Sequence, residues 1–225
     1  LLRPVLFVVV FFMIKKNSNA DMKQGVEYIL YVYSGIVLWW YFTSAVTGAT
    51  KSIYKDAGLI TKIYYPRIIT PVVPVVAGVP DLLLQLSLLP FAMAFYWHGP
   101  DQHLLIAPLV LAHVMLLAFS LGLITAALSL RSRDAISIQK YLLYIGLFLS
   151  PVIYSPAIIS DDLRWGYYLL NPMAAPLEAF RASLFHGFPL PWREWGASLC
   201  LSLGLLFLGI YCFRRVESDL ADSVL

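Results

Sequence analysis

An all-α integral membrane protein, with six transmembrane helices and two short re-entrant or interfacial helices between the fifth and sixth, is the fold class this sequence predicts. Three observations carry it. The 225 residues are 60% hydrophobic and only 13% charged, against roughly a quarter charged in soluble domains, and the mean hydropathy is +0.76. Charges interrupt a series of apolar runs, several of them near the ~20 residues that cross a bilayer's hydrocarbon. In that medium each backbone polar group must be bonded within its own segment, so such runs are helices.

The six runs are Leu1 to Ile14, Gly25 to Thr50, Ile68 to Trp97, Leu104 to Leu130, Ile136 to Tyr154 and Trp195 to Phe213. The first rises only about 21 Å, which leads us to expect further residues before Leu1. A signal peptide is the alternative, but no charged lead and no small-residue cleavage pattern precedes Lys15. No internal repeat is visible, and residues 1–225 read as one transmembrane domain. Six spans put both termini on one side. That side holds Lys51, Lys55, Lys62, Arg67, Arg131, Arg133, Lys140, Arg214 and Arg215; the other holds Lys15, Lys16, Lys23, Arg164, Arg181 and Arg193. The excess, concentrated in two short connections and a tail, places the first side and both termini in the cytoplasm.

This composition excludes a disordered tail, a basic nucleic-acid-binding domain and a disulfide-stapled secreted module. Cys200 and Cys212, twelve residues apart in one run, lie roughly 18 Å apart in a helix and cannot pair there.

Two connections are patterned. In residues 51–67, Ile53, Ala57, Ile60 and Tyr64 form a helical stripe, while Lys51, Lys55 and Lys62 point elsewhere. Gly58 weakens that helix and Pro66 ends it. It reads as a short cytoplasmic amphipathic helix, resting on lipid headgroups or docking a soluble partner. Residues 155–191, on the outer side, are apolar enough to enter the bilayer, but Pro156, Pro172, Pro176, Gly187, Pro189 and Pro191 forbid one continuous span. Two short helices broken at Asn171-Pro172 solve this. Asp161 or Asp162 would cap the first, and Glu178 would pair with Arg181 on the second. An interfacial cap without a transport role is the alternative. Arg131 to Asp134 is a tight cytoplasmic turn.

Five blocks now stand in order: Gly58 to Arg67, Leu130 to Asp134, Ser150-Pro151-Val152-Ile153-Tyr154, Leu170 to Met173, and Glu178-Ala179-Phe180-Arg181. In sequence and spacing, across about 125 residues, they resemble the permease subunits of ABC transporters that export polysaccharides: O-antigen, capsule and teichoic acid. Such permeases carry a cytoplasmic amphipathic helix before the first span, and that helix is expected among the further residues before Leu1.

The resemblance implies a homodimer of six-span subunits in the bacterial inner membrane, moving an undecaprenyl-diphosphate-linked polysaccharide, O-antigen first among them. It implies two ATPase subunits that supply ATP and Mg, with no cofactor, metal or nucleic acid for this chain. It also implies that Lys51, Ile53, Lys55, Asp56, Ala57, Ile60, Lys62 and Tyr64 belong to a coupling helix that enters the ATPase. Arg164, Trp165, Asn171, Pro172, Glu178 and Arg181 would belong to periplasmic gate helices. Independently, these residues contain no Gly-x-x-x-x-Gly-Lys-[Ser/Thr] phosphate loop.

A polysaccharide conduit needs aromatic faces for sugar C–H surfaces and polar tips for hydroxyls. Phe7, Phe11, Tyr141, Tyr144, Phe148 and Tyr154 are the candidates to line it; Phe7 and Phe11, and Tyr144 and Phe148, are four apart and share a face. Packing between helices is the other use for such rings. Asp81, with Gln85 one turn on, and His113 are costly at mid-membrane, and an Asp81 to His113 hydrogen bond between helices is expected as a clamp. Rival readings are a secondary transporter, which would show interrupted spans in repeated halves, and a membrane enzyme acting on a lipid-linked sugar. For the latter, neither His-Glu-x-x-His nor Gly-x-Ser-x-Gly occurs.

Overall fold

The computed structural model describes residues 23–55, 66–95 and 103–222. Within them the chain is helical, without strands among the described residues. In chain order the α-helices are α1 (Lys23–Lys55), α2 (Ile69–Ala77), α3 (Val79–Leu86), α4 (Leu88–Phe95), α5 (Ala107–Arg131), α6 (Asp134–Leu149), α7 (Asp161–Leu170), α8 (Ala174–Leu184) and α9 (Trp192–Asp222).

Three stretches are long and apolar enough to cross a membrane: Ile69–Phe91, Leu104–Arg131 and Trp192–Val216. The proline-free 33-residue α1 has the length, but its Tyr, Trp, Ser and Thr lower its hydropathy. The 16 residues of α6 rise only about 24 Å. The expected run Leu1 to Ile14 lies outside the described residues.

The Ile68 to Trp97 run is jointed, with Gly78 between α2 and α3 and Ser87 between α3 and α4. Pro74, Pro80 and Pro90 cannot donate to the carbonyl four residues back, and their rings push against it. The joints bend the rod without cutting it, because Gly78 N–H still reaches Pro74 O at 3.2 Å and Ser87 N–H reaches Leu83 O at 2.9 Å.

Packing centres on α5, which lies chiefly against α9 and α1. In lipid, helices associate by close backbone approach and interhelical hydrogen bonds, so interfaces favour small and hydroxyl residues. Gly122 supplies the first: a Cβ there would sit 2.6 Å from Ala49 Cβ. The hydroxyls follow, with Thr50 Oγ1 2.6 Å from Thr125 Oγ1. Ser129 Oγ donates to Thr50 O, and Tyr54 OH donates to Ser129 O. From Leu30 to Ile53, α1 is buried over most of its surface, so it is a core element and not a lipid-facing one.

Beyond α6 the chain turns at Ser150–Ser155 and makes two short helices, α7 and α8, before entering α9. The helix α7 begins at Asp161 itself, with Ser160 in the N-cap position and no side-chain cap bond. The N-cap position thus falls on Ser160, one residue before the expected Asp161 or Asp162.

Candidate functional site

Two arrangements stand out, one at each end of α1. The C-terminal half of α1, together with α2, α3 and α6, surrounds a cavity of about 980 Å³. Its lining changes along the helix. Lys51, Ser52 and Lys55 stand at the C-terminal end of α1, then Thr43, Ser44 and Thr47, then Trp39, Trp40 and Tyr41. Opposite them α6 runs antiparallel, since Gln139 Nε2 donates to Thr47 Oγ1 at 3.2 Å while Gly146 lies beside Trp39. Lys140 therefore stands level with Thr47, between Lys51 and the ring band, and Tyr144 faces the ring band. The third wall carries Asp81 and Gln85, docked on α1 by Tyr41 OH to Val75 O and Tyr33 OH to Gln85 O, both 2.9 Å.

Asp81 lies twelve residues, about 18 Å, along its span from Ile69. An ionisable group at such depth faces protein or a water-filled cavity, and Asp81 is an exposed member of this lining. The space is thus a compartment of mixed lining, in which hydroxyls, lysines and Asp81 stand among aromatic and aliphatic side chains.

At the other end Arg181, on α8, is fully buried. Its guanidinium donates to Glu178 Oε1 at 2.6 Å and Pro151 O at 2.5 Å through Nη1, to Val152 O at 2.9 Å and Tyr31 O at 3.2 Å through Nη2, and to Tyr31 O through Nε. It also stacks on the Tyr31 ring, 3.4 Å from its centroid. Tyr31 OH lies 3.0 Å from Glu178 Oε1 and 2.8 Å from Tyr154 O. A buried cation is tolerated only with this degree of pairing. Gly35 makes the room, since a Cβ there would stand 2.4 Å from Nη2. One side chain thus fastens α8, α1 and the strap after α6 together.

The last carbonyls of α6 need partners once the helix stops. Leu149 O accepts from Tyr154 OH (2.7 Å), Tyr167 OH (3.0 Å) and Asn171 Nδ2 (3.1 Å). Asn171 also holds Ser150, and Pro172 O accepts from Ser198 Oγ of α9 at 2.6 Å. Burial pushes the Tyr168 phenol up to about 12; burial, then Tyr154 beside it, raises that of Tyr167. Both stay protonated at neutral pH, leaving Tyr167 a donor.

Of the residues singled out from sequence, Glu178 and Arg181 form their pair and Asn171 and Pro172 hold the corner between α7 and α8. Arg164 donates to Ile159 O, and Trp165 lies under the Arg193 guanidinium. Tyr144 lines the cavity and meets Phe148 edge-on, centroids 5.7 Å apart. Tyr141 and Phe148 are exposed but not in that lining, and Tyr154 serves the strap. Lys51, Ile53 and Lys55 end α1, continuing that helix and not starting a separate one. Phe7, Phe11, Asp56, Ala57, Ile60, Lys62 and Tyr64 lie outside the described residues.

The Asp81 to His113 clamp is not formed. Trp195 Nε1, a donor only, reaches His113 Nδ1 at 2.9 Å, so the ring's proton sits on Nε2 and is given to Ser202 Oγ at 2.9 Å. Ser202 Oγ passes on to Ser198 O. His113 therefore ties α5 to α9. Sequence reasoning also missed Tyr31, Gly35 and the α1 wall. A signal for that wall was present: Trp40, Ser44, Thr47, Lys51 and Lys55 recur at helical spacing.

Helices apolar enough to cross a bilayer, with a compartment of mixed lining among them, are those of an integral membrane protein, and comparison with known proteins gives its class as a transport subunit. The ABC-2 type transporter family matches residues 1–185, and the chain belongs to that family. It is accordingly a transport component and not an enzyme, and an ABC transporter of this kind implies a partner ATPase. The chain is similar to the O-antigen export system permease protein RfbA of Myxococcus xanthus, 26% identical over 226 residues, with 99% of this chain and 85% of that protein covered. Two proteins of the same name from Klebsiella pneumoniae are 22% identical over 220 residues, with 97% and 83% covered.

Proposed function

We propose that this chain is the membrane-spanning subunit of an ATP-driven exporter that moves a lipid-linked polysaccharide of the O-antigen class across the bacterial inner membrane. The observation that carries this reading is the cavity, which sets hydroxyls, lysines and Asp81 beside the rings of Trp39, Trp40, Tyr41 and Tyr144, in a chain whose relatives bear the O-antigen export name. Rings and hydroxyls side by side suit sugar faces and sugar edges. The proposal includes six spans with both termini cytoplasmic, a homodimer, and two ATPase chains that bind ATP and Mg. Segment 51–67 is where the ATPases act, and residues 155–191 form the periplasmic gate, fastened by Arg181. An undecaprenyl diphosphate is the lipid carrier.

A ligand or motor shifts a conformational equilibrium only by its differential affinity for the two states. The ATPase pair must therefore grip the permease differently with and without ATP. The test is reconstitution of the permease with its ATPase into inverted vesicles. Lipid-linked O-polysaccharide should become protected from an external glycosidase only when ATP is hydrolysed. Protection without ATP, or by the permease alone, would overturn the reading in favour of a secondary transporter.

A further inference from the structure

The cavity has a polarity along its length that the export reading does not use. Its three cations line the part away from the ring band, Lys140 level with the hydroxyls and Lys51 and Lys55 beyond it toward the end of α1, whereas the one acid among its lining residues, Asp81, stands toward the ring band. All three lysines are exposed, and among the described residues no carboxylate pairs with them. They come from two different helices, and Lys140 is placed by the Gln139 to Thr47 bond next to it. Two ammonium groups at one mouth and a third level with the hydroxyls, followed by Trp and Tyr rings, are a receptor for a molecule that is doubly anionic at one end and a sugar next to it.

We propose that Lys51, Lys55 and Lys140 form a binding subsite for the diphosphate of a lipid-linked glycan, with Trp40 and Tyr144 receiving the first sugar rings. The site is an entry station: the anion is held at the cytoplasmic mouth while the glycan lies toward the wet interior. This rests on the export reading for its cargo and adds the residues that recognise it. The shared chemistry is a lipid phosphate headgroup, which a bulk anionic phospholipid also carries.

The test is equilibrium binding of undecaprenyl diphosphate, without nucleotide, to the full complex with its ATPase in phosphatidylcholine nanodiscs. Lys140→Gln should weaken binding by about three- to tenfold, and Lys51→Gln with Lys55→Gln by more, as expected for partly solvated charged contacts. Lys140→Arg should restore it, and Arg214→Gln on the exposed tail should change nothing. Inorganic diphosphate should compete. Equal competition by phosphatidylglycerol would overturn the diphosphate assignment in favour of a general anionic-lipid site. Wild-type affinity in the triple Gln variant would overturn the subsite. ATP hydrolysis stimulated equally in wild type and Lys140→Gln by lipid-linked glycan would leave export standing without this subsite. No stimulation in either would remove the export reading as well.

Discussion

Gly35→Ala is the sharpest single perturbation of the outer clamp. By intrinsic propensity the change should help, since Ala is favoured over Gly inside a helix by about 0.8–1 kcal/mol. The structure reverses the sign. The new methyl would stand 2.4 Å from Arg181 Nη2 and 3.0 Å from Val152 O, and neither can give way, because the guanidinium is held by carbonyls on two other segments. Shifting Nη2 loses its bonds to Tyr31 O and Val152 O. Hydrogen bonds to a charged group contribute about 1.5–3 kcal/mol each, and bonds between helices in membranes fall toward the low end. The expected net loss is thus about 2–3 kcal/mol. The control is Gly166→Ala on α7, where a Cβ would meet nothing within 4 Å; it should be neutral or slightly stabilising. Unfolding in mixed micelles with rising dodecyl sulfate, followed by the fluorescence of the six tryptophans, reads both. A Gly35→Ala protein as stable as Gly166→Ala would show that the guanidinium does not occupy this seat.

Trp195→Phe keeps the ring but removes the donor to His113 Nδ1, and should cost about 1 kcal/mol in the same unfolding experiment. Tyr144→Ala should lower the rate of glycan export by reconstituted complex, whereas Phe148→Ala, whose ring is outside the cavity lining, should leave it nearly unchanged. Unaltered export in Tyr144→Ala would end the idea that this ring lines the path. Asp81→Asn should scarcely alter stability, because Asp81 lines an open cavity and does not clamp His113; a large loss in detergent would contradict the geometry.

Much of this was legible in the sequence because charge and proline are hard to disguise in lipid. The helix pair around Asn171-Pro172 and the Glu178 to Arg181 pair could be read from residue spacing alone. The partners of Arg181 could not, since they are main-chain carbonyls of Tyr31, Pro151 and Val152, and any residue supplies a carbonyl. Gly35 is informative only through what approaches it, 146 positions away in the chain. His113 misled for a related reason: a buried imidazole calls for partners, and Asp81 was the charged candidate, but a Trp donor and a Ser acceptor satisfy both nitrogens without burying a charge. The stripe from Ile53 to Tyr64 does not show where the preceding span ends, and α1 runs on through Lys55.

The helix α1 belongs to both sites, and this sets a mechanical expectation. Tyr31 and Gly35 are held in the outer clamp, while Lys51 and Lys55 stand at the inner mouth. Twenty-four residues from Tyr31 to Lys55 make a rod of about 36 Å, buried against α5 along most of its length and without a proline. Packed interiors do not deform continuously, so a push delivered to segment 51–67, as proposed, must tilt the whole rod and carry the clamp with it. In the proposed homodimer, gating would then occur between the two copies of the chain and not within one. Spin labels at Lys55→Cys and at the exposed His186→Cys beyond α8, with Cys200 and Cys212 replaced by Ser, measure this. Within one chain, paired with an unlabelled copy, the separation should stay constant to about 2 Å as nucleotide is added, because one packed body connects the labels. The distance between the two His186→Cys labels in a dimer carrying only that substitution should change. A nucleotide-dependent change in the intrachain distance would show that α1 bends, and that the clamp and the mouth move independently.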